Sequence, residues 1–438
     1  MHIVFVHRDG PGQFVHLARR LISEGWSATL ISQSVDRTVP GLRSIRYTDR
    51  PAPGTRSPQS GNRTHVPYVA AGRQVANILD HLARKGRKPD LIMGHIGWGG
   101  MMFVKDVLPD TPAIGYCEYY FQPQGGDVGF ASAESVDLVQ RQTLRLRNAI
   151  QLATLDQIDC GISPTLWQKS RYPAPYHPRI FPQHEGIDTN RARPDHLATL
   201  RLPDGTLLAS GDPVVTFAAR NLEPYRGFPQ FMRAAALVAK RNPGVRFVVA
   251  GGDGTSYGRS QTSGQTWREQ LMQETGLSPD RIHFLGQIPH HQLIRLFQIS
   301  AAHVYLTYPF VLSWSFLEAM ACGAPIIASA TAPVEEVVRD GTNGQLVDFW
   351  DEGEIAVRIE RTLGRPSGLQ QMCDAARQTV VSRFELNACV RKTQVLLQQV
   401  AARKANAPRP PSAVHDTSST SHAASKVAPD QRLKGATS

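Results

Sequence analysis

Along most of the chain, short continuous apolar runs alternate with longer stretches whose apolar positions recur every three or four residues. The first run, His2–His7 (HIVFVH), is followed by the loop Arg8–Gln13, an amphipathic helix over about Phe14–Glu24, and a second run at Ser27–Ser32. That pattern predicts a strand, a crossing helix and a parallel strand: parallel neighbours need a crossover, and burial on both faces removes polar alternation. Runs at Leu91–Met93, Ala113–Cys117 and near Gly161–Thr165 (GISPT) extend this half, with helices over about Tyr68–Lys85 and Val136–Leu155 between them. A second series has strands over Val214–Arg220, Arg246–Ala250, Ile282–Leu285, His303–Thr307, Ile326–Ala330 and Gln345–Asp348, and helices over Phe228–Lys240, Ser313–Cys322 and about Glu352–Val400. The fold class is therefore α/β, with two units of parallel sheet. Residues 173–182, rich in Pro, and His184–Asn190 (HEGIDTN) read as the connection between the units. Residues 50–65 read as a flexible surface loop that orders over substrate, and residues 404–438, with almost no bulky apolar groups, as a disordered tail.

The helix Ser313–Cys322 is the most informative element. Gly323 suits the left-handed residue after a helix and Pro325 prevents its continuation. Phe316, Leu317, Met320 and Ala321 leave almost no polar face, so Glu318 is anomalous. A buried carboxylate is costly unless it is paired. Near the positive end of the helix, beyond a sheet's carboxyl edge, it can accept two hydrogen bonds from a vicinal diol such as a ribose, while helix-end N–H groups take phosphate oxygens. The alternative is that Glu318 satisfies local backbone or an arginine.

Composition narrows the class. With 438 residues, 41% hydrophobic and 19% charged, the chain is globular with room for two or three domains. The net charge of +11 favours an anionic partner: nucleotide, acidic lipid surface or nucleic acid. No zinc-finger or RRM-type signature accompanies the charge, and nucleic acid is not expected as a partner. Arg141, Arg145 and Arg147 share a helix with Leu144, Leu146 and Leu152, which suits either ordinary packing or an anionic membrane surface. No run reaches the roughly 18 apolar residues that a spanning helix needs. The five scattered cysteines read as reduced, and the chain opens directly on a strand, so a cytoplasmic location is expected.

Candidate chemistry clusters where strands end. Arg220 closes the strand Val214–Arg220 and Arg226 precedes a helix, a pair that suits a diphosphate. His95 follows the strand Leu91–Met93, a site candidate or a core histidine; Glu118, Tyr119 and Tyr120 follow Ala113–Cys117 and suit sugar recognition or an aromatic cluster. Gly10 and Gly12 permit close approach of backbone to a ligand. A DxD metal-nucleotide motif, a GK[ST] phosphate loop, HExxH and GxSxG are all missing.

Read in order, ARNLEPYRG, FVVAGGDG, FLGQIP, LEAMACGAPIIAS and EVVRDGTNGQLV make the second half resemble the donor half of a glycosyltransferase family 4 enzyme. IVFVHRDGPGQF, GHIGWGG and HEGID carry a looser likeness in the first half. The resemblance implies a GT-B architecture, two Rossmann-like doubly wound parallel-sheet domains facing across a cleft. Residues 1–190 would form the acceptor domain, joined by a returning helix at about 385–403, and residues 191–384 the nucleotide-sugar domain. It implies retaining transfer of a hexose-type sugar from a UDP- or GDP-sugar to a saccharide or lipid-linked saccharide, in surface polysaccharide synthesis, peripheral to the inner face of the cytoplasmic membrane, with no cofactor and no required metal. Arg220 and Arg226 match the diphosphate-holding positions, Arg226 where the family usually has Lys, and Glu318 matches the ribose-binding acid. Gly286, Gln287 and Ile288 lie where the base is held, and Glu118 lies near the place where many members put a histidine. The second acid of the family pattern, eight positions before Glu318, is here Phe310, which leaves its role to the N–H groups of Val311, Leu312 and Ser313, alters donor choice or lowers activity. An epimerase or hydrolase in the same cleft and a non-catalytic nucleotide-sugar or glycan-binding protein are the alternatives.

Overall fold

In the computed structural model, which describes residues 1–34, 39–48, 66–131, 136–258 and 264–405, the chain forms two parallel sheets and a small hairpin. The first sheet contains β1 (His2–Val6), β2 (Ser27–Ser32), β3 (Arg43–Arg46), β4 (Leu91–His95), β5 (Ala113–Tyr116), β6 (Cys160–Ser163) and β7 (Ile180–Pro182), in the order β3-β2-β1-β4-β5-β6-β7. β8 (Thr199–Arg201) and β9 (Leu207–Ala209) pair antiparallel. The second sheet contains β10 (Val214–Asn221), β11 (Arg246–Gly252), β12 (Ile282–Phe284), β13 (Ala302–Tyr305), β14 (Ile326–Ser329) and β15 (Gln345–Val347), in the order β12-β11-β10-β13-β14-β15.

Strand order reverses between β1 and β4, and again between β10 and β13. In doubly wound sheets this reversal leaves a crevice beyond the carboxyl ends of the strands, because the flanking crossovers run to opposite faces. The residues that follow β1, β4, β10 and β13 are therefore the ones the fold offers to a ligand.

Apolar clusters cover both faces of each sheet. The helix Val15–Ser23 buries Leu17, Ala18 and Leu21 against Ile3, Phe5 and Leu30, and the last helix, Leu386–Ala405, adds Val390 and Leu397 to the same cluster. The chain crosses back at this point: Ile187 N donates to Phe384 O at 2.7 Å and Leu386 N to Ile187 O at 3.0 Å. The C-terminal helix is thus tied to the first sheet by apolar burial of about 25 cal/mol per Å² and by backbone bonds.

Several elements differ from the sequence reading. β3 was missed because its residues are half-buried or exposed at an edge, with arginine at both ends. Residues 180–182, read as connection, form the edge strand β7; Pro182 at its end is tolerated there because edge strands leave N–H positions unpaired. The amphipathic helix His290–Gln298 was also missed. Lys404 and Ala405, read as tail, end the last helix. The loop at 50–65 and the tail from 406 onward lie outside the described residues.

Candidate active site

A cavity of about 720 Å³ lies between the two halves and is lined by residues from both. On the second-sheet side, β10 runs into a short turn, Pro224–Arg226, and then Gly227 opens the helix Phe228–Arg241. Gly227 is required here: its φ is +68°, and a Cβ would stand 2.3 Å from that of Leu306. This tight turn directs Arg226 inward, where it is 7% exposed. Its Nη1 donates to Thr307 Oγ1 at 2.7 Å, Tyr305 Oη at 3.2 Å and Val311 O at 3.3 Å. All three acceptors are neutral, and among the described residues no carboxylate pairs directly with the guanidinium, Glu223 acting on it only from farther away. Arg220 lines the same wall, is exposed, and makes no ion pair or hydrogen bond among the described residues.

The acid between the two arginines does not pair with them. Glu223, 1% exposed, accepts from the backbone N–H groups of Ser256 at 3.2 Å, Tyr257 at 3.3 Å and Gly258 at 3.0 Å. Next to the arginines begins the helix Trp314–Ala321, whose N-cap Ser313 accepts from Phe316 N at 3.3 Å. The Ser313 N–H donates to Tyr305 Oη at 3.2 Å, so of the three backbone groups expected to replace the missing acid this one is committed. Those of Val311 and Leu312 meet no acceptor among the described residues.

The first-sheet wall is organised around Glu118, whose side chain is 23% exposed. His95, the last residue of β4, accepts from Gly97 N at Nδ1 (3.0 Å), which leaves the proton on Nε2 to donate to Glu118 Oε2 at 3.2 Å. Gln13 Nε2 donates to Glu118 Oε1 at 2.7 Å. Burial pushes the Glu118 carboxyl up, yet the bonds from His95 and Gln13 outweigh it and hold the group below its usual range. His7, following β1, accepts from Asp9 N at 3.1 Å; burial, reinforced by His95, lowers it to about 4 and keeps it neutral. Gly12, with φ +46°, passes so close that a Cβ would meet the His7 ring at 2.5 Å.

Aromatic rings and three acids join the walls. Phe310, 8% exposed, packs against Tyr119 (ring centroids 4.6 Å), Tyr257 (5.1 Å) and Tyr225 (5.6 Å). Asp127 accepts from Tyr119 at 2.8 Å on its own half and from Tyr225 of the other. Glu185 accepts from Tyr116 on one side and from Trp314 Nε1 at 3.0 Å on the other. Glu336 of the second half accepts from Leu166 N at 2.9 Å and Trp167 N at 2.7 Å, at the start of the helix Leu166–Ser170. Sequence reasoning did not single out these three acids, because the partner of each in the other half lies far away in the chain.

The cavity thus brings together Gly12, His95, Glu118, Arg220, Arg226, Val311, Leu312 and Ser313. Glu318 and Gly286, Gln287 and Ile288 stand outside its lining. Glu318 is one turn along the helix from Trp314 and Ser315, and its Oε1 is bonded to His290 Nε2 at 2.7 Å. His290 follows the loop Gly286–Pro289 directly, so these residues form one patch beyond the cavity. Among the described residues no group of three or more His, Cys, Asp or Glu side chains is placed to hold a metal ion, and no helix is long and apolar enough to cross a membrane.

A family model described as "Glycosyl transferase family 4 group" matches residues 24–192, and one described as "Glycosyl transferases group 1" matches residues 203–379. D-inositol 3-phosphate glycosyltransferases of Mycobacterium bovis and Mycobacterium tuberculosis are 32% identical over 205 residues, 47% of this chain. That stretch spans only 39% of their length. Among solved structures, sucrose-phosphate synthase from Thermosynechococcus elongatus superposes with a TM-score of 0.69 at 21% identity, over 92% of this chain and all of that one. HepE from Anabaena in complex with UDP-glucose has a TM-score of 0.65 at 16% identity, over 91% of this chain and all of that one. At such identities these likenesses establish the fold, which is GT-B. With one family model on each half and the scaffold common to both, the chain belongs to glycosyltransferase family 4.

Proposed function

We propose that the protein is a retaining glycosyltransferase that moves a hexose-type sugar from a UDP- or GDP-sugar to a saccharide or lipid-linked saccharide acceptor. The observation that carries this is the cation wall: Arg220 without a partner among the described residues, Arg226 held by neutral oxygens, and Glu223 turned onto backbone. A wall of positive charge without a direct ion pair, beside a helix start, is complementary to a diphosphate, and more so as negative charge grows on the leaving group. The opposite wall supplies Glu118 and His95 to the reacting sugar and acceptor. That HepE was solved with UDP-glucose supports a UDP-sugar. Electrostatic help from two arginines gives the reaction no requirement for a divalent metal, and activity retained in EDTA would agree.

Incubation of the purified protein with UDP- and GDP-sugars and a panel of saccharide and lipid-linked acceptors tests this reading. Product formed only when acceptor is present is the expected result. Turnover of donor alone at the same rate would instead identify a hydrolase or epimerase. Phe310, apolar where the family carries an acid, favours one further reading, a non-catalytic nucleotide-sugar-binding protein; tight donor binding without turnover across the panel would establish it.

A lipid-linked acceptor in surface polysaccharide synthesis, met at the inner face of the cytoplasmic membrane, is supported by the helix Leu138–Gln157. It exposes Leu138 (63%), Val139 (68%) and Leu146 (38%) beside Arg141 and Arg145, a face suited to anionic lipid. Salt-sensitive flotation with anionic liposomes is the expected behaviour, and no flotation would return the acceptor to solution.

A further inference from the structure

Glu318 already has a partner. His290 Nε2 lies 2.7 Å from its Oε1; the histidine side chain is 47% exposed and the glutamate 13%. His290 begins the helix His290–Gln298, immediately after Gly286–Pro289, while Glu318 projects from a helix that is apolar apart from it and Ser315. Among the described residues no arginine or lysine stands within ion-pair distance of this carboxylate, and His290 is its partner. The nearby Arg377 is engaged elsewhere, donating to Ala321 O at 2.6 Å and Ala192 O at 3.1 Å.

A carboxylate that receives a vicinal diol must present its oxygens to both hydroxyls at once, and a glutamate has three side-chain torsions with which to miss that geometry. Each carboxylate oxygen has two lone-pair directions, so a donor on the flank of Oε1 fixes the group without exhausting it. Among the described residues no other donor bonds this side chain, so Oε2 and the second lone pair of Oε1 stay available.

We infer that His290 is a positioning residue of the nucleotide site: it holds Glu318 in the orientation that receives a ribose diol. This rests on the reading of the cleft as a nucleoside-diphosphate site. A role of this kind has a signature that general support of the fold lacks, because it concerns only the two ribose hydroxyls.

The test is calorimetric affinity for UDP and GDP, each beside its 2′,3′-dideoxy form, in the wild type, His290→Ala and His290→Gln. The wild type should prefer the ribose form. His290→Ala should lose roughly threefold to tenfold of affinity for the ribose nucleotide, the size of one hydrogen bond, and leave the dideoxy form unchanged. His290→Gln, which keeps an N–H donor, should recover most of the loss. Equal loss for both forms, or none for either, would overturn the inference while leaving the nucleotide site standing. Wild-type indifference to the hydroxyls would remove the ribose role of Glu318 and this inference together, whereas wild-type failure to bind either nucleotide would overturn the reading of the cleft itself.

Discussion

The two walls of the cleft solve opposite electrostatic problems with the same sheet edge. On the wall built by β10 and β13, positive charge is left without a direct ion pair: Arg220 has no partner among the described residues, Arg226 rests on neutral oxygens, and Glu223 is occupied by backbone N–H groups. On the wall built by β1, β4 and β5, the carboxylate of Glu118 is satisfied by His95 and Gln13, and His7 is kept neutral. The first wall has an unmet need for an anion. The second is already poised, with its hydrogen bonds made and its carboxylate ionised. Two doubly wound sheets of like topology can therefore divide one reaction, because a switch point supplies a crevice and the residues after the strands decide its charge.

The heaviest blow to this contrast is Arg226→Ala. Removing a buried cation from the leaving-group wall should lower kcat/KM about 10²- to 10³-fold in steady-state transfer assays, with Arg220→Ala following at about tenfold to 10²-fold and with an unchanged Tm, since Arg220 is exposed. Wild-type kinetics in both would mean that this wall does not carry the diphosphate. Glu118→Gln should depress transfer about 10²-fold yet move nucleotide affinity by less than about twofold. An equal fall in nucleotide affinity would show that the walls are not separable.

A smaller effect compares a buried histidine in each half. Burial lowers His7 to about 4 and His303, bonded through Nδ1 to Thr216 Oγ1 at 2.8 Å, to about 3. A histidine near 6.5 in the unfolded chain and lower in the fold takes up its proton on unfolding first, so the stability it supports is present above about pH 6.5 and lost as pH falls towards the folded value. Between pH 7 and pH 5 each should cost on the order of 2 kcal/mol, read as a falling Tm. His303→Gln should remove about half of that loss without touching nucleotide affinity. Tyr225→Phe is the mildest change. It deletes one bond to Asp127 across the cleft, costs about 1 kcal/mol in denaturant unfolding, and should leave Arg220 chemistry intact.

Much of the scaffold was legible because it depends on local periodicity. The buried strands of both sheets were visible as continuous apolar runs, and the helix Trp314–Ala321 as an apolar segment between Ser313 and Gly323. β3 and β7 were not, since edge strands carry too little burial to leave a pattern. Arg220, Arg226, His95 and Glu118 could be picked out because strand ends in parallel sheets are where ligands bind. Glu185 could not: its partners Tyr116 and Trp314 lie 69 and 129 positions away. Nothing local distinguishes such an acid from any other loop glutamate.

By itself the sequence determined which segments become strands and helices, where those strands end, and that Glu318 sits on an apolar helix, because periodicity and capping act over a few residues. Only the tertiary structure decided which charges stay free and which are already spoken for: Arg220 open to the cleft, Glu223 turned onto backbone, Glu318 held by His290, Phe310 enclosed by three tyrosines. The reason is physical. Whether a charge is cancelled depends on groups within about 4 Å, and folding brings those groups together from anywhere in the chain.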